Sequence, residues 1–278
     1  MLSGSQSRGR IKASSLAILE LSTLSTLNIK YTFYDDNSYK FKFSRRNMKS
    51  VITKPRFEEV TWITTAPIVG PMSFADMRDK AYDGGFRIST MSELVSLVYA
   101  SFENPEYETA KNVIKIFKNE WVPANTGVYY SPKGMFALDN PKMENKKIIP
   151  FDYKTLESKL GKHEERGVIF SDDKTLRFTP YNYRKGTQSS LELSKNTGII
   201  ALVGGEENAE KLARASEHYQ VNPSFWVLSN VDPQNKIRIA CLGTDVLEDW
   251  LNIGAIDPED GNYWGSFMVP EMNMKKAE

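Results

Sequence analysis

The chain has 278 residues, 40% of them hydrophobic and 26% charged, a composition that fills one large globular domain or two small ones and excludes a collagen, a coiled coil or a wholly disordered chain. Lysine and arginine number 36 and aspartate and glutamate 35, so the formal charge is +1. That balance is uneven: residues 1–56 carry eleven basic and three acidic side chains (+8), and residues 57–278 carry −7.

The first fifteen residues hold Arg8, Arg10 and Lys12, several serines and no acid. Three readings fit that composition: a flexible extension, an organellar targeting segment, or a functional basic arm. Tyr31 to Phe43 alternates aromatic and polar residues around Asp35-Asp36-Asn37-Ser38, which predicts a β-hairpin. Lys40, Lys42, Arg45, Arg46 and Lys49 alternate there with Tyr39, Phe41 and Phe43. Such a pattern suits contact with single-stranded nucleic acid, and equally a hairpin with one lysine-solvated face.

Composition shifts near Arg56, so the expected organisation is a basic N-terminal arm, residues 1–56, and an α+β body, residues 57–278. Val60 to Thr64 reads as a strand and Pro67 to Pro71 as an irregular segment. Ser73 is a good N-cap for a helix through Tyr82, stopped by Gly84-Gly85. Phe86 to Ile88 is extended. Thr90 and Glu93 then form a capping box, followed by a helix with Leu94, Leu97, Val98 and Phe102 on one face. A third helix is expected from Pro105 to about Trp121.

From Gly127 onward short strands dominate: Val128 to Ser131, Phe136 to Leu138, Gly167 to Phe170, Leu176 to Pro180, Ile199 to Val203, Phe225 to Leu228, Ile237 to Leu242 and Ser266 to Val269. Helices are expected at Tyr153 to Lys162 and Glu206 to His218. Helices early and strands mostly late predict α+β with an antiparallel or mixed sheet.

The unit Gly85-Phe86-Arg87-Ile88-Ser89-Thr90-Met91-Ser92-Glu93-Leu94 resembles the aromatic-Arg-Leu-Pro-Thr-x-x-Glu signature of C-type lectin-like folds of the formylglycine-generating and sulfatase-modifying type, and of related prokaryotic domains of unknown function. Phe225 to Ser229 is similar to a following segment of such domains. The resemblance covers about a third of the chain, and Ser89 stands where the family has proline. It implies structural roles for Arg87, anchored beneath the helix, and Glu93, completing the Thr90 cap. It also implies that the helix from Thr90 packs against the helix from Ser73.

What the family's oxygen-activating members need is missing from this sequence, which has one cysteine, Cys241, and two isolated histidines, His163 and His218. Cys241 lies in the apolar run Ile237 to Leu242 and reads as a buried structural thiol; no intrachain disulfide or multi-thiolate metal site is available. Gly204-Gly205 before Glu206, Glu207 and Glu210 reads as a tight strand-to-helix connection, since three carboxylates at a helix start repel a phosphate. Asp257 to Asn262 is oxygen-rich and glycine-turned, in keeping with a surface turn or a calcium loop outside the EF-hand register.

These readings lead to a non-enzymatic ligand- or protein-binding module with no cofactor and no metal. Its expected recognition surface is Asn230, Asp232, Asn235, Asp257, Asp260, Asn262, Tyr263 and Trp264. One alternative is a hydrolase-type enzyme built from Tyr129, Tyr130, Asp172, Asp173, Arg177, Tyr181 and Tyr183. Another is nucleic-acid contact through the N-terminal arm alone. Without an apolar run long enough to span a bilayer, no membrane partner is expected, and the expected location is cytoplasmic.

Overall fold

The computed structural model describes residues 64–150, 152–227, 237–244, 250–259 and 263–270. In chain order the elements are β1 (Thr64–Met72), α1 (Phe74–Asp83), β2 (Phe86–Ile88), α2 (Met91–Glu103), α3 (Glu108–Phe117), β3 (Trp121–Tyr130), β4 (Gly134–Asp139), β5 (Met143–Glu144), β6 (Lys147–Ile148) and α4 (Tyr153–Glu157). There follow β7 (His163–Glu165), β8 (Val168–Phe170), β9 (Leu176–Pro180), β10 (Gly186–Thr187), α5 (Ser190–Lys195), α6 (Thr197–Val203), α7 (Glu206–Ser216), β11 (Val221–Trp226), β12 (Ile237–Gly243), β13 (Trp250–Ile256) and β14 (Tyr263–Pro270). The class is α+β, as expected. The N-terminal arm with its hairpin, and Asn230, Asp232, Asn235, Asp260 and Asn262, lie outside the described residues.

Among the described residues the strands form a nine-stranded mixed sheet in the order β10-β11-β13-β12-β3-β4-β9-β8-β7, a three-stranded sheet β1-β14-β2 and the small pair β5-β6. All pairings in the large sheet are antiparallel except β11 with β13. Side chains alternate faces along each strand, and the alternation sorts them into two cores. Val122, Ala124, Val128, Met135, Ala240, Leu242, Leu251 and Ile253 belong to the first, with the apolar faces of α2, α3, α6 and α7. Tyr129, Phe136, Leu176 and Ile239 belong to the second, with Phe74, Met77 and Ala81 of α1 and Ile88 of β2.

The local helix signals hold. Ser73 Oγ accepts from the Asp76 amide at the start of α1 (3.2 Å). Thr90 and Glu93 form the expected capping box at the start of α2. Several expectations are corrected. The helices α1 and α2 share neither core: α1 contributes to the second and α2 to the first, so the implied packing of one on the other is not found. Pro67 to Pro71 is not irregular but lies inside β1, an edge strand with register shifts on both sides of Ile68-Val69, where prolines are tolerated. Ile199 to Val203 is helix α6, not a strand. Gly198 to Val203 are buried on every side, so the helix has no polar face to give a 3.6-residue period, and Asn196 Oδ1 starts it by accepting from the Gly198 amide (3.0 Å). The third helix starts at Glu108, and the helix from Tyr153 ends at Glu157. Both β13 and α5 are additional to the expected elements.

Candidate functional site

The signature residues form scaffold rather than a reacting group. Arg87 Nη1 donates to Glu93 Oε2 at 2.7 Å, and the same oxygen accepts from the Thr90 amide at 2.7 Å, so the capping glutamate is itself held by the arginine. Ser89 supplies what proline would forfeit: its amide and its hydroxyl both donate to Phe267 O of β14 (2.9 Å each).

A second polar network crosses the first core. The Met91 amide at the start of α2 donates to Thr126 Oγ1 (2.9 Å), whose hydroxyl donates to Asp139 Oδ1 (2.6 Å). Asp139 receives both terminal nitrogens of Arg177, whose side chain is 1% exposed. Arg177 Nε also donates to Ala201 O (2.9 Å), and its Nη1 reaches Lys174 O and Thr175 O (3.2 Å each). Every donor of this guanidinium is directed at protein acceptors, so Arg177 holds the last turn of α6 to the β4–β9 pair.

The register of the large sheet brings other residues together. The end of β3 (Tyr129, Tyr130) lies beside the start of β12 (Ile237) and the start of β4 (Met135); the start of β4 (Gly134) lies beside the end of β9 (Pro180). The end of β13 (Ile256) lies beside Ile239, the end of β11 (Trp226) beside Gly254, and Gly186 of β10 beside Phe225. Seven strands therefore present one common end. From it spring the links 227–236 and 257–262, which contain most of the expected recognition surface.

This end is drawn inward. Pro180 and Gly186 stand on strands six steps apart in the sheet order, roughly 29 Å along a flat sheet at about 4.8 Å per step. The chain joining them advances six residues, which reach at most about 22 Å. The sheet must curl for the link to close, with Tyr183 at its hollow. The Tyr183 ring lies 5.8 Å from Phe225 of β11 and 6.2 Å from Tyr181, and its hydroxyl is 3.9 Å from Met135 Sδ of β4. Gly198 of α6 packs so closely beneath it that a Cβ there would come within 2.8 Å of Tyr183 Cγ and 2.7 Å of Phe225 Cε1. Burial pushes the Tyr183 phenol well above its ordinary value, helped by the neighbouring Tyr130 and Tyr181.

Tyr130, Tyr181, Val227 and Ala255 pack half-buried on this side of the first core. Tyr181 donates to Ser131 O (2.8 Å), and Arg238 Nη1 donates to Asp257 Oδ2 (3.2 Å). At the end of β11 Trp226 is 54% exposed, with its indole N–H donating to Asn252 Oδ1 (3.2 Å). Lys185, half-buried on the Tyr181–Lys185 link, places its ammonium 5.9 Å from the Tyr183 ring centre. Desolvation lowers the pKa of Lys185 below the ordinary lysine range. Trp226, Tyr130, Tyr181 and Lys185 thus sit at the same end as Asp257. Each is visible in the sequence as an aromatic or a cation, but their placement at one end of the sheet depends on strand pairings far apart in the chain. For Tyr263 and Trp264 only the backbone, at the start of β14, is described.

The other candidates are dispersed. Asp173 closes a turn: Ser171 donates to it (2.6 Å), as do the Thr175 amide and hydroxyl, and these bonds hold its carboxyl below the usual range, opposite to what a general acid needs. Asp172 is exposed. His163 begins β7, with Nε2 2.9 Å from Glu165 Oε1, and His218 stacks on Phe102 at 4.6 Å. Gly204-Gly205 joins two helices, not a strand and a helix, with φ of 85° and 131°. The α7 N-terminus is occupied from within the chain: Glu165 Oε2 accepts from the Glu206 amide (2.8 Å). Burial raises the Glu165 carboxyl, but this bond and those with His163 and Lys174 outweigh it, and the net shift is downward. Cys241 is buried in β12, and burial drives its thiol pKa well up.

Among the described residues no three His, Cys, Asp or Glu side chains are grouped to hold a metal ion, and no helix is long and apolar enough to cross a membrane. No protein-family model matches the chain, and no curated protein matches it. One solved structure is similar. It is described by the accommodation of massive sequence variation in Nanoarchaeota by the C-type lectin fold; at 13% identity and a TM-score of 0.47, the match covers 74% of this chain and 95% of that one.

Proposed function

We propose that this chain is a non-enzymatic binding module of C-type lectin-like architecture, with its recognition face at the curled end of the large sheet. The architecture is supported by the Gly85 to Leu94 unit, where the Arg87–Glu93 pair and the Thr90 capping box have the geometry that the resemblance implies, and is opposed by the missing packing of α2 on α1, which the resemblance also implies. The binding role rests on one observation: strand register brings Tyr130 and Tyr181, on the side of the first core, and the exposed Trp226, on the opposite face, to the end from which links 227–236 and 257–262 emerge. Aromatic rings at the ends of rigid strands, rimmed by loops, offer apolar contact area at low entropic cost. In this reading Asn230, Asp232, Asn235, Asp257, Asp260, Asn262, Tyr263 and Trp264 form the rim.

The test is a titration of the full chain with the neutral aromatic probe phenylacetamide, followed by backbone and indole amide shifts. Perturbations should concentrate on Tyr130, Tyr181, Trp226, Val227 and Ala255, and Trp226→Ala should weaken them. Shifts centred elsewhere, or unchanged by Trp226→Ala and Tyr181→Ala, would remove the proposal.

A further inference from the structure

We infer that β7, the terminal strand of the large sheet, is an acid-released latch: the Glu165 carboxylate ties it to the start of α7, and protonation of that carboxylate frees it while both cores stay closed. Apolar burial does little to hold this strand. His163 and Glu164 are exposed, Glu165 is half-buried, and none of the three belongs to either core, whereas Val168 and Phe170 of the neighbouring β8 are fully buried in the first. A two-residue turn, Arg166-Gly167, joins the strands, with both residues at positive φ (49° and 83°) as a tight hairpin requires. The His163 ring meets Phe170 edge-on at 5.1 Å. The polar attachments of β7 centre on Glu165.

Glu165 Oε2 accepts from the Glu206 amide (2.8 Å), one of the donors that a helix start leaves unpaired. Its Oε1 lies 2.9 Å from His163 Nε2 and 3.9 Å from Lys174 Nζ of the β8–β9 turn. Beside it Arg166 Nε donates to Glu206 Oε2 (2.6 Å), and Glu207 follows, exposed. Arg177, which lies beyond Gly204, is committed to Asp139. Gly205 gives the carboxylate room, since a Cβ at that position would stand 3.1 Å from Oε2. An ionised carboxylate accepts from all of these donors and faces the positive end of α7; the protonated acid loses the charge and part of its accepting capacity. The folded chain favours the ionised form, holding Glu165 below its ordinary 4.5, so the latch is closed above that pH and opens as pH falls through the lower folded value. With β7 released, β8 becomes the edge of the sheet.

Amide exchange in the full chain, corrected for the intrinsic rate at each pH, reads the latch at the Glu206 amide. The amides of β12, which is paired on both sides, report opening of the whole sheet. Between neutral pH and a pH below the folded value of Glu165, protection of Glu206 should fall about tenfold, as loss of one charge-assisted bond implies, while β12 keeps its protection. Glu165→Gln should bring Glu206 near that lower level already at neutral pH and abolish the acid step. His163→Gln should lower protection less and leave the step in place, because the titrating group is Glu165. Equal protection of Glu206 at both pH values, an acid step that survives in Glu165→Gln, or protection lost only together with that of β12 would each overturn the inference.

Discussion

Replacing Arg177 by methionine tests the reading of this residue as scaffold. The side chain is 1% exposed, and the substitution removes both bonds to Asp139 together with the donors to Ala201, Lys174 and Thr175 carbonyls. Asp139, 13% exposed, would keep only the Thr126 hydroxyl. Breaking one side of a buried pair costs about 3–5 kcal/mol, mostly as the penalty of the charge left behind. For a chain of this size that lowers the melting temperature by roughly 10 °C. Urea unfolding of the wild type, Arg177→Met, Asp139→Leu and the double variant would measure it. The double variant should recover part of the loss, because neither charge is then stranded, giving a coupling energy of about 2 kcal/mol. If Arg177→Met costs under about 1 kcal/mol, or the two losses simply add, the ion pair does not hold α6 as described.

Glu93→Gln keeps an acceptor for the Thr90 amide but discards the charge facing Arg87, whereas Glu93→Ala loses both; chemical denaturation should find the alanine variant less stable by about 1–2 kcal/mol and the glutamine variant in between. Glu165 titrates below its ordinary 4.5 when folded, so its contribution is present above that pH and fades as pH falls through the lower folded value. The stability difference between wild type and Glu165→Gln should therefore be largest near neutrality and shrink in acid; a constant difference would contradict the assignment. Cys241, buried with its pKa raised, should react with a thiol reagent only as fast as the protein unfolds, and rapid labelling of the native protein would show that β12 is open to solvent.

What was legible in the sequence was what is encoded locally. Ser73, and the Thr90–Glu93 pair, announce helix starts because a cap needs only side chains within three residues of its amide. The curled end was not legible, because Tyr130, Tyr181, Lys185 and Trp226 come to the same end of the sheet only through register across strands separated by up to about a hundred residues. Strand β13 escaped notice for a related reason. It alternates Leu251 and Ile253 with Asn252 and Gly254, and those two look like turn residues until Asn252 is seen accepting from the Trp226 indole and Gly254 lying against Trp226 O. Helix α6 shows the opposite difficulty, an apolar run too completely enclosed to reveal its period.

Strand β14 carries a consequence for how the chain comes to be folded. It lies between β1 and β2, two of the earliest described strands, and sends Phe267 and Val269 to one core and Met268 to the other. Pairings across nearly two hundred residues make for slow folding, since a long stretch of chain must be ordered before they form. Neither core is complete until this strand docks. During synthesis β1 and β2 would emerge from the ribosome long before their shared partner exists, leaving their edges open to pairing with other chains.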